Sequence, residues 1–252
     1  MTYPWRTLTL LLAAGLLAGC GVRRPPSPAP APVQSAGGGE SYRVDCAAST
    51  LRVLVRREGP LAALGHNHVL LLHPLAGEIG LAAGSDAAGG SLEFAVDAIV
   101  VDDPDERRAA GPDFPGTVPA DDIAGTRRNL LGPAVLDAAH WPRIRIEIGT
   151  VSGGPERYTA AAFLVVRGHR SPVTVPVVVE RAADTVVASG DLNLSQRALG
   201  LEPFSVLFGA LRVADELGTR FRFVLRPRSQ SVGAPDTCAA ETADQSMFPA
   251  GH

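Results

Sequence analysis

Arg143-Ile144-Arg145-Ile146-Glu147-Ile148 alternates charged and β-branched apolar residues over six consecutive positions. An extended strand projects successive side chains to opposite faces, so this hexapeptide has one wet face and one oily face. At about 3.6 residues per turn, a helix would scatter the three isoleucines around its cylinder instead. Outward from this segment the same period recurs. Leu51, Val53 and Val55 alternate with Arg52 and Arg56, while Leu92, Phe94, Val96 and Ala98 share one face. Phe221 to Leu225 has Arg220, Arg222 and Arg226 opposite. Further runs cover Tyr158 to Val166, Val173 to Val179 and Val186 to Leu194. With the apolar stretch around Val69 to Leu72, continuing to Leu81, the chain carries about eight strands. Gly89-Gly90, Gly153-Gly154-Pro155 and Arg170-Ser171-Pro172 separate several of them.

The pattern predicts an all-β domain of mostly antiparallel strands over residues 41–227. Its two sheet edges must be hidden, and a sandwich blunts edges where a closed barrel removes them. Alternation alone favours neither. Aromatic residues make up only 5% of the chain, so small aliphatic side chains would line a barrel and leave space. An eight-stranded barrel has an interior about wide enough for one small ligand.

Two segments break the rhythm. Asp102 to Asp121 is acidic and proline-rich and reads as an exposed loop. Asp122 to Leu131 and Pro133 to Ala139 read as short helices, with Asp121 or Asp122 as N-cap and Pro133 at a first helical position. Ile123, Leu130 and Leu131 would form their buried stripe. After Pro227 the periodicity vanishes, and 228–252 reads as an irregular tail.

At the N-terminus, Arg6 precedes an apolar run from Leu8 to Ala18 that is too short to span a bilayer. It ends in Leu17-Ala18-Gly19-Cys20, which resembles the lipobox of bacterial lipoproteins. The resemblance implies a signal peptide over 1–19 and a mature chain beginning at an acylated, palmitate-type Cys20. Two or more acyl chains anchor a protein stably where one does not. Gly21 rather than Asp follows the cysteine, which favours the periplasmic face of the outer membrane in a Gram-negative cell. Residues 20–40 read as a tether: Arg24-Pro25-Pro26-Ser27-Pro28 and the alternating Pro-Ala that follows favour polyproline II, and Gly37-Gly38-Gly39 supplies a hinge.

If Cys20 is acylated, Cys46 and Cys238 remain as an even pair in an envelope compartment that permits disulfides. A bridge across so long a loop would contribute roughly 4–5 kcal/mol in the chain-entropy picture. Two free thiols are the alternative.

Charge and composition exclude several functions. The formal net charge is −3, with no polyanion footprint, so nucleic acid is not an expected partner. All 23 basic residues are arginine. Without lysine the chain cannot carry a GxxxxGK[ST] phosphate loop, a Schiff-base lysine or an S-x-x-K nucleophile. No GxSxG elbow or supported acid–base pair is present, and no catalysis is expected. His66 and His68 in Gly65-His66-Asn67-His68 would share one face of a strand, a spacing that suits two imidazoles on one zinc or copper ion. His73, His140 and His169 are candidate third ligands. The alternative is that these histidines serve as hydrogen-bonding groups at a strand start.

Several motifs together resemble the YceI-like family of bacterial lipid- or polyisoprenoid-binding periplasmic proteins. They are Tyr42-Arg43-Val44-Asp45, Gly65-His66-Asn67-His68, Val135-Leu136-Asp137-Ala138 and Trp141-Pro142-Arg143-Ile144. Val165-Val166-Arg167-Gly168, Pro172-Val173, Pro176-Val177, Ser189-Gly190 and Gly200-Leu201 follow in order, so the likeness spans roughly 42–227. It implies an eight-stranded antiparallel, lipocalin-like β-barrel with short helices in one connection. It further implies an apolar interior holding a long isoprenoid-type lipid or quinone, with no other cofactor required. Leu51, Val53, Leu92, Phe94, Val96 and Ile144 are expected to face inward, with Ile146, Phe163 and Phe223. Phe204 and Phe208 either gate a mouth or plug the core. The competing readings are a metal-dependent or redox protein using His66 and His68, and a structural envelope module with a filled core. Oligomeric state is left open, a homodimer included.

Overall fold

The computed structural model describes residues 40–81 and 88–228, all within one unit of the chain, Val33–His252. The expected signal segment, Cys20, the tether short of Glu40, and Cys238 lie outside those residues. The elements run β1 (Glu40–Glu58), β2 (His68–Leu72), β3 (Ala76–Leu81), β4 (Ala88–Ala95) and β5 (Val100–Val101). Two helices follow, α1 (Pro104–Ala110) and α2 (Ala120–Leu131). Then come β6 (Arg143–Gly153), β7 (Arg157–Val166), β8 (His169–Arg181), β9 (Val186–Ser195), β10 (Ser205–Val206) and β11 (Leu211–Pro227).

The barrel runs β1, β3, β4, β6, β7, β8, β9, β11, and β11 returns to β1. That last pairing extends from Tyr42↔Pro227 to Glu58↔Arg212. Closure decides for the barrel over the sandwich, because the first and last strands use each other's edge. β2 occupies the β3 position further along β1, and the short β5 and β10 extend β2 and β11.

The isoleucines of β6 behave as their spacing predicts. Ile144, Ile146 and Ile148 face the lumen, opposite Phe94, Leu92 and Gly90 of β4. Their polar neighbours form ion pairs outside, Arg145 with Glu93 at 3.5 Å and Glu147 with Arg170 at 2.8 Å.

β1 is less regular than its pattern. Between Asp45 and Thr50 it bulges against β11, where Asp45 pairs with Val224 and Thr50 with Arg222. The three extra residues reverse the inward parity, from Tyr42 and Val44 to Leu51, Val53 and Val55. Ser49, fully buried, repairs the ladder by accepting from the Val224 N–H at 2.9 Å. The adjacent strand breaks at the same level. The single run expected from Val69 to Leu81 is two strands parted at Pro74, and His73 Nδ1 reaches the Ser49 carbonyl at 2.9 Å.

The wall changes again between β8 and β9, which pair only from Val178↔Ser189 to Arg181↔Val186. Pro172 and Pro176 keep their partners Phe163 and Thr159 on β7. Their missing N–H groups therefore fall on the β9 side, where they end the ladder. Gly190 lets the strands meet there: a Cβ would lie 2.3 Å from the Pro176 carbonyl oxygen.

The helical connection corrects the sequence reading. Within the stretch expected to be a loop, Asp103 caps α1, accepting from the N–H groups of Asp105 and Glu106, with Pro104 at its first position. α2 starts two residues earlier than expected and has no side-chain cap. Pro133 to Ala139 is a series of turns, not a helix. There the chain folds back so that Leu136 and Ala138 N–H groups satisfy the Leu130 and Leu131 carbonyls at the end of α2. That turn buries Val135 and Leu136 together with Phe94, Val96, Ile99 and Leu201. Ala98 leaves the expected strand face and is exposed, and Ile99 is buried instead.

Candidate functional site

The barrel encloses a cavity of about 450 Å³, inside the range of about 300–1,000 Å³ usual for ligand pockets. It runs from Tyr158 and Arg181 at one end of β8 to Gly65 and Arg212 at the other end of the barrel. Its wall is almost wholly aliphatic. β7 contributes Ala160, Ala162 and Leu164, and β8 contributes Val173, Val175 and Val177. The alanines matter most for space, since a larger residue at either would project into the lumen. A filled core, one of the readings open from sequence, is overturned by this volume.

Of the residues expected to face inward, Leu51, Val53, Leu92, Ile144, Ile146 and Phe223 line the cavity, as does Phe204. Phe94 and Val96 are buried beneath it, packed solid rather than on its surface. Phe163 is a correction: it faces outward, with the Arg170 guanidinium 3.2 Å over its ring. The lumen-facing register of β7 belongs to Tyr158, Ala160, Ala162 and Leu164, and one residue's offset puts Phe163 on the other side. Phe208 is the second correction. It neither gates nor plugs, being fully exposed.

His66 and His68 meet edge to face, with ring centroids 6.3 Å apart. Among the described residues no group of three or more His, Cys, Asp or Glu side chains is arranged to hold a metal ion. The candidate third ligands are engaged elsewhere: His73 on Ser49, His140 Nδ1 on Asp137 at 2.9 Å, and His169 against Gly200. Cys46 is buried, and the pairing expected with Cys238 falls outside the described residues.

His68 instead heads a buried ionic network at the polar end of the lumen. Its Nδ1 lies 2.5 Å from Asp102 Oδ2. A carboxylate only accepts, so Nδ1 carries the proton and Nε2 is turned toward Thr126 Oγ1, 3.5 Å away. Asp102 Oδ1 accepts from the Val69 N–H at 2.9 Å and from Arg107 Nη1 at 2.6 Å. Arg107 also donates to the carbonyls of Asn67, Pro115 and Gly116. The Asp102 side chain has no exposure and that of Arg107 has 3%. Charges so deeply buried persist only when each is paired and hydrogen-bonded. The network pins the helical connection to β2 and fixes His68 at the cavity wall.

Burial pushes the Asp102 carboxyl upward, but the His68 and Val69 hydrogen bonds, the His68 charge and Arg107 outweigh it and hold it below its ordinary value. A depressed carboxylate contributes stability that is present above the unfolded-state pKa, near 3.9, and lost as pH falls through the lower folded value. Unfolding measured against pH is therefore expected to show a loss of stability below about pH 4. The Asp102→Asn chain should lack that part of the slope.

No sequence motif marks Asp102 or Arg107 as a pair. The signal available was Asp103-Pro104-Asp105-Glu106, a helix start inside the supposed loop, which would have turned Arg107 inward one turn later.

The sequence matches no protein family and no curated protein. Solved structures do match. Burkholderia cenocepacia BcnA superposes with a TM-score of 0.51 at 17% identity, covering 72% of this chain and 98% of that one. The fold is that of BcnA. A polyisoprenoid binding domain from Saccharophagus degradans, implicated in plant cell wall breakdown, gives 0.48 at 10% identity over 75% of this chain and 99% of that one. A Campylobacter jejuni YCEI protein gives 0.39 at 7% identity over 54% and 70%. The BcnA match covers most of this chain and nearly all of its counterpart, so the two share an architecture, at an identity that speaks to fold alone.

Proposed function

We propose that this chain is a YceI-like, non-catalytic lipid-binding protein that holds one long apolar chain, an isoprenoid or quinone-type lipid, inside its barrel. Acylated Cys20 would tether it to the periplasmic face of the outer membrane, with Cys46 and Cys238 bridged. The observation that carries the reading is the lumen: a continuous aliphatic cavity running between the two barrel ends. The order of motifs from Tyr42 to Leu201 supports the same reading.

The energetics suit a carrier. Moving a methylene out of water is worth about 0.8 kcal/mol, against roughly 4–15 kcal/mol for immobilising a ligand. A tail of about 20 carbons therefore binds from water with few polar contacts. A lipid already in a bilayer loses none of that on transfer, so exchange between membrane and barrel is close to neutral. His68, Thr126 and Asn129 supply the polar groups at the lumen wall that a headgroup or quinone oxygen would meet.

Protein purified gently from its native membrane should carry a stoichiometric lipid by mass spectrometry. A barrel found empty under those conditions would overturn the proposal.

A further inference from the structure

Five of the six large apolar side chains exposed on the described surface lie in or beside two neighbouring loops. Leu61 and Leu64 belong to the β1–β2 loop, Val206 ends β10, and Leu207 and Phe208 belong to the turn between β10 and β11. Leu64 is 69% exposed, Leu207 56% and Phe208 wholly so. The loops are tied together by the Leu61 N–H donating to the Ala210 carbonyl at 2.9 Å. Leu207, Phe208 and Gly209 all have positive φ, at 52°, 56° and 86°. Two bulky residues in the left-handed region carry a backbone cost, and the turn they form directs Phe208 away from the barrel rather than onto it. Water gives no reason for that arrangement. An apolar environment does.

We infer that this tip docks onto an anionic lipid bilayer and sets one end of the lumen against the membrane. Three features favour a membrane over another occupant. First, the cavity reaches Gly65, Val206 and Leu211 between these loops, so the apolar surface is continuous from tip to lumen. Second, Arg57 beside the tip donates to the Gly65 carbonyl, a neutral acceptor that leaves its charge uncompensated by that contact, whereas Arg212 and Arg56 are paired with Glu58 and Asp113. A cation of this kind beside an apolar tip matches the headgroup layer of an anionic membrane. Third, the tip lies at the far end of β1 from the tether. If Cys20 is the anchor, the 20 residues to Glu40 reach at most about 70 Å when extended. The 19 residues of β1 span about 60 Å, so the tip can touch the membrane that anchors the chain. Docking concerns the outer surface and stands whether or not the lumen carries lipid.

The test uses the full chain with F208W, its emission corrected for Trp5 and Trp141 by subtracting the unsubstituted chain. It is mixed with phosphatidylcholine vesicles, with or without phosphatidylglycerol, whose acyl chains are brominated. The tryptophan introduced at 208 should shift to the blue and be quenched several-fold more than one introduced by Ala47→Trp, exposed in the mid-strand bulge of β1 and away from the tip. Phosphatidylglycerol should strengthen the effect and added salt should weaken it. Equal quenching at the two positions overturns the inference, as does a signal indifferent to phosphatidylglycerol. A blue shift that grows with protein concentration without vesicles would assign the tip to a second copy of the chain and overturn it as well.

Discussion

Asp102→Ala is expected to cost about 3–5 kcal/mol, the range for removing one partner of a buried ion pair. The substitution strands the Arg107 guanidinium, 3% exposed, without its carboxylate. It also leaves the Val69 N–H and the His68 Nδ1–H without their acceptor. In a domain this size the melting temperature should fall by roughly 10 °C or more. Denaturant unfolding should report the loss in midpoint with little change in slope. Arg107→Met alone should also destabilise, leaving Asp102 with His68 and Val69. The two changes together should cost well below the sum of the singles, because the double variant removes both buried charges. Arg108→Ala, one residue along α1, breaks only the exposed pair with Asp105, and exposed pairs contribute about 0–1 kcal/mol. Equal effects at Arg107 and Arg108 would count against the network as the clamp on the helical connection.

Ala162→Phe should empty the barrel. Ala162 is buried with its Cβ toward the lumen, so a phenyl ring there occupies space otherwise open to a lipid tail. Displacing about four methylenes removes roughly 3 kcal/mol of binding, near a hundredfold in affinity. The ring enters an existing void, so the overpacking cost of about 1–3 kcal/mol should sit at its lower end. Ala161→Phe is the matched control. Ala161 is exposed and on the opposite face of the same strand, and this variant should keep its full lipid load. Lipid-to-protein ratio by mass spectrometry separates the two. An Ala162→Phe chain that retained its lipid would place the ligand outside the lumen.

The contrast between these adjacent alanines also explains where sequence reasoning succeeded. The isoleucines of β6 and the Leu51-Val53-Val55 row carry charged residues between them, so the phase of the alternation is written locally. In β7 only Arg157 and Thr159, at its start, mark the outer face; from Ala160 to Val166 every residue is apolar, so the phase that puts Phe163 outside is carried by two residues at one end. Phe208 failed differently. Apolarity normally implies burial, and only the positive φ angles of its turn direct it outward. The Asp102–Arg107 pair was hidden because a charged, proline-rich stretch reads as solvent-facing until its partners on β2 are known.

Residue order alone thus determined strand class, the number of barrel positions and the inward face of the strands whose alternation carries charge, β6 and the later part of β1 among them. Pleating makes each side chain's face a property of its immediate neighbours, and that information is local. Tertiary structure decided the rest: that β11 closes on β1, that a bulge reverses β1's parity, and that His68, Asp102 and Arg107 converge. It also decided that Leu64 and Phe208 share a tip. Each of these joins residues far apart in the chain, and a contact that exists only when distant strands meet leaves no periodic mark on either of them.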